Sequence, residues 1–212
     1  MRVLPKISAF EKHFSLYEEW FKKNEYAYQS ELDAVKLLIP KFEKGLEVGI
    51  GTGKFAVPLG IKSGVEPSYE MRKIALERGL NVVDGVAENL PFENNSFDLV
   101  LMVTTVCFVD DVLKSFKESF RVLKDSGIIL IGFVDRESTI GKIYQQNKEK
   151  SLFYKEATFY STSEIVELLY EAGFKDFNFS QTIFHTLDKI KEKEPAKHGF
   201  GKGSFITIKA KK

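Results

Sequence analysis

Three glycines and one distant carboxylate carry the clearest chemical signal in the sequence. Gly49, Gly51 and Gly53 follow a short apolar run that ends at Val48, and Glu66 follows the next apolar run. Glycine lets the backbone adopt conformations that a Cβ would forbid, so a bulky ligand can lie directly on the main chain. A carboxylate beyond the next strand is placed to accept hydrogen bonds from two ribose hydroxyls. The pattern predicts a nucleoside pocket.

The spacing of these glycines separates two classes of nucleotide cofactor. Dinucleotide-binding folds use G-x-G-x-x-G, in which the third glycine lets a helix pack closely on a strand. Here the pattern is G-x-G-x-G, and Lys54 occupies the position of the third fingerprint glycine. A nucleotide-dependent oxidoreductase is therefore an alternative that the spacing disfavours. An ordinary tight turn is the alternative that involves no ligand.

The run from Glu47 to Gly53 resembles the first motif of the class I S-adenosylmethionine-dependent methyltransferases, which have a Rossmann-like, seven-stranded sheet. The resemblance implies that S-adenosylmethionine is the cofactor. It also implies that the glycine turn carries the methionine moiety and that Glu66 holds the ribose.

Later segments extend the resemblance to the type 11 and ubiquinone/menaquinone small-molecule methyltransferases. They are 85–92, 96–100 and 121–124. The family often has an aspartate where this chain has Val86, so the backbone there or the neighbouring Glu88 carboxylate would have to recognise the adenine. The cofactor-binding residues implied by the resemblance are Glu47, Gly49, Gly51, Gly53, Glu66, Pro67, Val86, Ala87, Glu88, Val103 and Thr104.

Strand-like and helix-like segments alternate from residue 45 onward. This alternation predicts right-handed βαβ crossovers and a parallel sheet with helices on both faces. Two late β-like runs, 174–182 and 204–209, lack a crossover helix between them and are predicted to pair as a hairpin. The expected fold is α/β, a three-layer Rossmann-like methyltransferase fold with a mostly parallel seven-stranded sheet. We expect one domain over 1–212, composed of an N-terminal helical lid (1–42), a cofactor-binding half (43–135) and a substrate-side helix with the hairpin (136–212).

Two aromatic-rich helices are predicted ahead of the sheet, over residues 8–24 and 29–39. The parallel core does not require them, so we expect them to close over the site as a lid around Trp20, Tyr26 and Tyr28. An aromatic stripe with helical spacing is interpreted as core packing: Phe10, Phe14 and Phe21.

Methyl transfer from a sulfonium is an in-line displacement that needs alignment and a dry cavity, so no catalytic triad is expected. A general base is needed only for an acceptor that arrives protonated. An acid such as Asp135 near aromatic side chains would suit a small amine by cation–π contact, while N-, O- and C-acceptors all stay open. Candidate acceptor-site residues lie on the lid or after the fourth and fifth strands: Trp20, Tyr28, Thr104, Thr105, Cys107, Phe108, Phe133 and Asp135.

The bulk composition limits the kinds of partner. The 212 residues carry a formal net charge of +1, which disfavours a nucleic-acid partner. A single cysteine excludes an internal disulfide, and three scattered histidines predict no metal site, with His185 a minor candidate for an acceptor base. No apolar run reaches membrane-spanning length and the first six residues lack a signal-peptide core, so we expect a cytoplasmic protein with a small-molecule partner. A non-catalytic S-adenosylmethionine-binding protein remains the alternative.

Overall fold

The alternating segments form an eight-stranded mixed sheet in the computed structural model, which describes residues 6–212. The first five residues of the predicted lid segment lie outside the described residues. The helices are α1 (Ser8–Lys23), α2 (Glu25–Leu38), α3 (Ala56–Leu59), α4 (Tyr69–Glu77), α5 (Val112–Val122), α6 (Thr139–Gln146) and α7 (Thr162–Glu171), with short 3-10 helices at Lys148–Lys150, Tyr154–Glu156 and Leu187–Lys189. The strands are β1 (Gly45–Val48), β2 (Ser63–Val65), β3 (Asn81–Val83), β4 (Phe97–Val103), β5 (Leu123–Val134), β6 (Lys175–Thr182), β7 (Lys197–His198) and β8 (Phe205–Lys211).

The strand order is β3-β2-β1-β4-β5-β8-β6-β7. Strands β1 to β5 pair in parallel, whereas β8 pairs antiparallel with both β5 and β6. The predicted parallel sheet with a terminal antiparallel hairpin is confirmed. The sheet has eight strands rather than seven, because the two-residue β7 adds to the outer edge of β6.

Apolar side chains cover both faces of the sheet. On one face, Phe116 of α5 and Leu169 of α7 are completely buried in a cluster with the β4 and β5 side chains. On the other face, Val35 of α2 and Ala75 of α4 are equally buried. Helices on both faces leave only the ends of the strands open, so a ligand site can form at one of those ends.

Three local differences separate the sequence expectations from the structure. The helix predicted over 52–61 is reduced to α3, because the preceding glycines adopt left-handed conformations that postpone regular helix. Helix α2 begins at Glu25, four residues before the predicted start at Gln29. Helix α6 was not predicted, although Ser138 caps it by accepting a hydrogen bond from the Gly141 amide.

The long connection between β6 and β8 is attached to α2. The Glu194 amide donates to the Ser30 hydroxyl oxygen at 2.8 Å, and Lys193 pairs with Asp33 at 2.7 Å. These contacts fix α2 against the antiparallel end of the sheet. Within residues 6–212, no helix is both long enough and apolar enough to cross a membrane.

Candidate active site

One cavity of about 420 Å³ lies at the carboxyl ends of β1, β2 and β4. Its volume falls in the range of small-molecule sites. Glycines and short side chains line one part of the cavity, which we call the glycine end, and aromatic side chains line the other part, the aromatic end. The two ends are continuous, so two ligands can meet inside one cavity.

The glycines of the turn after β1 have different tasks. Gly51 has φ +55°, and a Cβ there would point toward the Tyr17 hydroxyl at 3.2 Å, which is on the cavity side. Gly49 also lines the cavity. Gly53 does not line it, and a Cβ there would lie 2.3 Å from Leu80. Gly51 is therefore the position where a ligand can lie on bare backbone, whereas Gly53 allows close packing.

Glu66 connects the end of β2 to the glycine turn. Its Oε2 accepts a hydrogen bond from the Gly51 amide at 2.8 Å, and its Oε1 accepts one from the Ser68 amide at 2.9 Å. Each carboxylate oxygen keeps a second lone pair, which a ligand hydroxyl can use. Burial raises the pKa of Glu66 to about 7, and the two backbone hydrogen bonds limit the rise.

Glu47 lies on β1 and is 2% exposed. Its Oε2 has no hydrogen-bond partner among the described residues, and burial raises its pKa well above the usual range. Buried polar atoms without partners are rare in folded proteins, so this one requires an explanation. Glu47 does not line the cavity, so the fit to a nucleoside that carries an amino-acid group rests on the bare glycine turn and Glu66.

Val86, Ala87 and Glu88 line the outer part of the glycine end. The Glu88 carboxylate accepts hydrogen bonds from the amides of Asp110 and Asp111 at 2.7 and 3.2 Å. It therefore holds the loop that follows β4 against the segment after β3. This leaves an apolar slot, formed by Val86 and Ala87, for a flat base.

The aromatic end is built from side chains that are far apart in the sequence. The Phe10 ring lies 4.9 Å from the Phe108 ring, and the Tyr144 ring lies 4.8 Å from the Tyr154 ring, measured between centroids. The aromatic side chains that line the cavity here are Phe10, Tyr17, Trp20, Phe21, Phe108, Tyr144, Phe153 and Tyr154. They come from α1, α6, the loop after β4 and the segment between α6 and α7.

One carboxylate lies near these rings. Glu31 of α2 lines the cavity, and burial raises its pKa to about 8. Its negative charge contributes to the raised pKa values of Tyr144 and Tyr154, after the larger effect of their own burial. No sequence pattern points to Glu31, because its position beside the aromatic rings depends on how α2 packs.

Helix α1 lies over the glycine end, where it is held by polar contacts and by aromatic contacts such as Phe10 with Phe108 and Tyr17 with Phe153. Glu11 accepts a hydrogen bond from the Ser68 hydroxyl at 2.5 Å, and Glu18 pairs with Lys54 at 2.8 Å and with Arg78 at 2.7 Å. Only one residue of α1 is buried, compared with six residues of α2. Helix α1 is therefore a cover, and α2 is part of the packed layer.

Most of the cofactor-binding residues implied by the resemblance line the cavity: Gly49, Gly51, Glu66, Pro67, Val86, Ala87, Glu88, Val103 and Thr104. Glu47 and Gly53 are not among the lining residues. Of the acceptor candidates, Trp20, Thr104, Thr105 and Phe108 line the cavity. Phe10 lines it as well, and Phe21 lines it while belonging to the buried core, as the aromatic stripe predicts.

The structure gives other tasks to the remaining acceptor candidates. The Tyr28 hydroxyl donates to the Lys54 carbonyl at 2.6 Å, and Tyr26 is 47% exposed on the surface. Asp135 is 8% exposed and accepts hydrogen bonds from the amide and hydroxyl of Thr162, so it caps α7 instead of facing the aromatic rings. Residues Cys107 and Phe133 line a small neighbouring pocket, and burial raises the pKa of the Cys107 thiol to about 12.

His185 lies away from the cavity and is paired with Glu194. Within the part of the chain that the structure describes, no group of three or more His, Cys, Asp or Glu side chains is arranged to hold a metal ion. The chemistry of the site therefore rests on its glycine turn, its buried carboxylates and its aromatic rings.

Comparison with known sequences identifies the relatives of this chain. Residues 46–131 match the methyltransferase domain family. An uncharacterised protein of Methanocaldococcus jannaschii is 46% identical over 206 residues, covering 97% of this chain and all of that protein. The demethylmenaquinone methyltransferase of Staphylococcus aureus is 28% identical over 167 residues, covering 64% of this chain and 69% of that enzyme.

A crystal structure from Thermotoga maritima gives the corresponding structural match. It is described as a SAM-dependent methyltransferase, "possible histamine N-methyltransferase", and is 50% identical with a TM-score of 0.95 over 97% of this chain and 99% of the other. The chain therefore belongs to the class I S-adenosylmethionine-dependent methyltransferases. Its cofactor is S-adenosylmethionine, and the predicted family and fold class are confirmed.

Proposed function

We propose that the protein transfers the methyl group of S-adenosylmethionine to a small-molecule acceptor bound at the aromatic end of the cavity. The observation that carries the proposal is the continuity of the cavity, in which the glycine end suits the cofactor and the aromatic end suits a second ligand. A volume of about 420 Å³ favours an acceptor of modest size. The near-neutral net charge of +1 also favours a small molecule over a nucleic acid.

In this proposal the glycine end holds the cofactor. Glu66 accepts hydrogen bonds from the ribose hydroxyls, Gly51 offers bare backbone to the nucleoside, and Val86 and Ala87 flank the adenine. Bound S-adenosylmethionine supplies an electrophilic methyl group on a sulfonium. The protein then needs only to align the acceptor atom with that methyl group and exclude water.

Water exclusion is the proposed task of α1. Its polar contacts through Glu11 and Glu18 reach the segments that follow β2 and β1, so α1 can close over the cofactor without joining the core. Trp20 and Phe10 would cover the acceptor in the same movement. In this proposal α1 alone forms the lid that the sequence predicts over residues 1–42.

The proposal can be tested by binding and transfer measured in parallel. Calorimetry should show binding of S-adenosylmethionine and S-adenosylhomocysteine but not of NAD. Incubation with tritium-labelled S-adenosylmethionine and a panel of small amines, phenols and hydroquinols should label at least one acceptor. Cofactor binding with no transfer across the panel would favour the non-catalytic alternative, and preferential binding of NAD would favour an oxidoreductase.

A further inference from the structure

The proposed mechanism leaves Glu31 without a task. This residue lines the cavity from α2 and lies close enough to Tyr144 and Tyr154 to affect their titration. Among residues 6–212, no lysine, arginine or histidine forms a salt bridge with it. A carboxylate in an aromatic chamber without a cationic partner is costly unless a ligand supplies the partner.

The helix that carries Glu31 is fixed on both sides of that residue. The Ser30 hydroxyl oxygen accepts a hydrogen bond from the Glu194 amide at 2.8 Å, and the Ala34 carbonyl accepts one from the Ser180 hydroxyl at 2.7 Å. Both contacts come from the antiparallel end of the sheet. Glu31 is therefore presented to the cavity by a rigid element, as a recognition residue should be.

We propose that the methyl acceptor is a small amine that enters as an ammonium ion, and that Glu31 is the carboxylate that recognises it. This inference rests on the proposed function, because it concerns the acceptor of the same site. Aromatic faces attract cations, so the rings of Tyr144, Tyr154 and Trp20 add to the effect of the carboxylate. A neutral acceptor of the same shape would offer no positive charge to favour the ionised form of Glu31.

Glu31 is also the group suited to prepare the acceptor for attack. An ammonium nitrogen has no free electron pair, so its N–H bond must first break and the proton must move to the Glu31 carboxylate. The nitrogen then forms a bond to the methyl carbon while the carbon–sulfur bond breaks and its electron pair stays on sulfur. The products are a methylated ammonium ion, a neutral thioether and a protonated Glu31, which returns its proton to solvent.

The groups around Glu31 support this role. Burial raises the pKa of Glu31 itself to about 8, so the free protein holds it largely protonated at pH 7. The nearby titratable side chains are Tyr17 of α1, Tyr28 of α2, Tyr144 of α6 and Tyr154, and burial raises the pKa of each of these phenols, keeping them neutral. The other charged side chains that line the cavity are Lys6, Glu66, Glu88, Asp110, Asp111 and Lys114.

The test is calorimetry on protein saturated with S-adenosylhomocysteine. The probes are histamine and phenethylamine, with 2-phenylethanol as the neutral counterpart of phenethylamine. Glu31→Gln should weaken binding of the amines by about 10- to 100-fold, the usual range for hydrogen bonds to a charged group, and leave 2-phenylethanol unaffected. Asp33→Asn is the matched control, because Asp33 lies on the same helix but pairs with Lys193 outside the cavity.

A second measurement detects the release of a proton from Glu31 when the amine binds. Near pH 7 the amine should displace a proton from wild-type Glu31, so the binding enthalpy should depend on the ionisation enthalpy of the buffer. Glu31→Gln should abolish that dependence, and Glu31→Asp should restore part of both the affinity and the proton release. Unchanged affinity for S-adenosylhomocysteine in each variant shows that the fold and the glycine end are intact.

Several results would overturn this inference while leaving the proposed function standing. One is amine binding of equal strength in wild type and Glu31→Gln. Another is methyl transfer confined to neutral acceptors, and a third is failure of both amines to bind the wild-type complex. Failure of every acceptor class in the transfer assay would instead remove the proposed function.

Discussion

The two ends of the cavity are constructed in different ways. The glycine end takes nearly all its contacts from the turns after β1, β2 and β3, within residues 49–88. The aromatic end takes side chains from α1, α2, α6, the loop after β4 and the segment that contains Tyr154. In the proposed function, recognition of the cofactor is therefore a local property of the chain, whereas recognition of the acceptor depends on packing between distant elements. The same methyl-donor site can serve different acceptors when only the second end changes.

The strongest test of this contrast is Gly51→Val. A side chain there would enter the cavity beside Tyr17 and would also have to adopt φ +55°, so binding of S-adenosylhomocysteine should become undetectable by calorimetry. Gly60→Val is the matched control, since Gly60 also has positive φ but a Cβ there would contact nothing within 4 Å. If the two variants bind equally well, Gly51 is only a turn residue.

Glu66→Gln should have the next largest effect on the glycine end. It keeps the shape of the side chain but removes the charge that would accept the ribose hydroxyls, so affinity for S-adenosylhomocysteine should fall by roughly 10- to 100-fold. Affinity in the wild type should rise as pH increases through about 7, because the ligand favours the ionised form of Glu66. Glu77→Gln, which makes the same change at an exposed residue of α4 outside the cavity, should alter neither property.

Glu31, at the aromatic end, should affect how the free energy of unfolding depends on pH. The pKa of Glu31 in the folded protein is raised to about 8 from an ordinary value of 4.5, so the folded state binds more protons than the unfolded state between these two pH values. The contribution of Glu31 to the free energy of unfolding therefore falls as pH rises from 4.5 to 8, and it is smallest above pH 8. Glu31→Gln should show a smaller loss of unfolding free energy than wild type between pH 5 and pH 8.5, measured by urea denaturation. An identical loss in both proteins would contradict the burial of this carboxylate.

Hydrogen exchange should separate the two N-terminal helices by a smaller effect. Amides of α1 should gain protection when S-adenosylhomocysteine binds, because this helix contributes only one buried residue. Amides of α2 should be protected before ligand is added, because six of its residues are buried. Equal protection of both helices in the free protein would mean that α1 is permanent structure and that the acceptor enters elsewhere.

Much of the fold could be predicted from the sequence, because local patterns determine it. Alternating apolar runs gave the parallel strands, Ser161 and Glu164 form the predicted capping box of α7, and the late β-like runs pair as predicted. The glycine end was also accessible, since most of its residues follow strands at short and regular distances. Helix α6 was not predicted because it is short and few of its residues, such as Ile140, are buried in the core.

The side chains of the aromatic end could be identified only from the tertiary structure. The sequence favoured Asp135 as the acid near the aromatic rings, but that side chain turns back to cap α7, and Glu31 from α2 takes the place beside them. No local sequence pattern distinguishes Asp135 from Glu31, because the position of each side chain depends on the partners that it meets in the folded protein. The sequence by itself determined the cofactor, since the turns after three consecutive strands, within residues 49–88, form most of the glycine end. Only the tertiary structure decided the aromatic end, since side chains from distant elements become neighbours only after the helices have packed on the sheet.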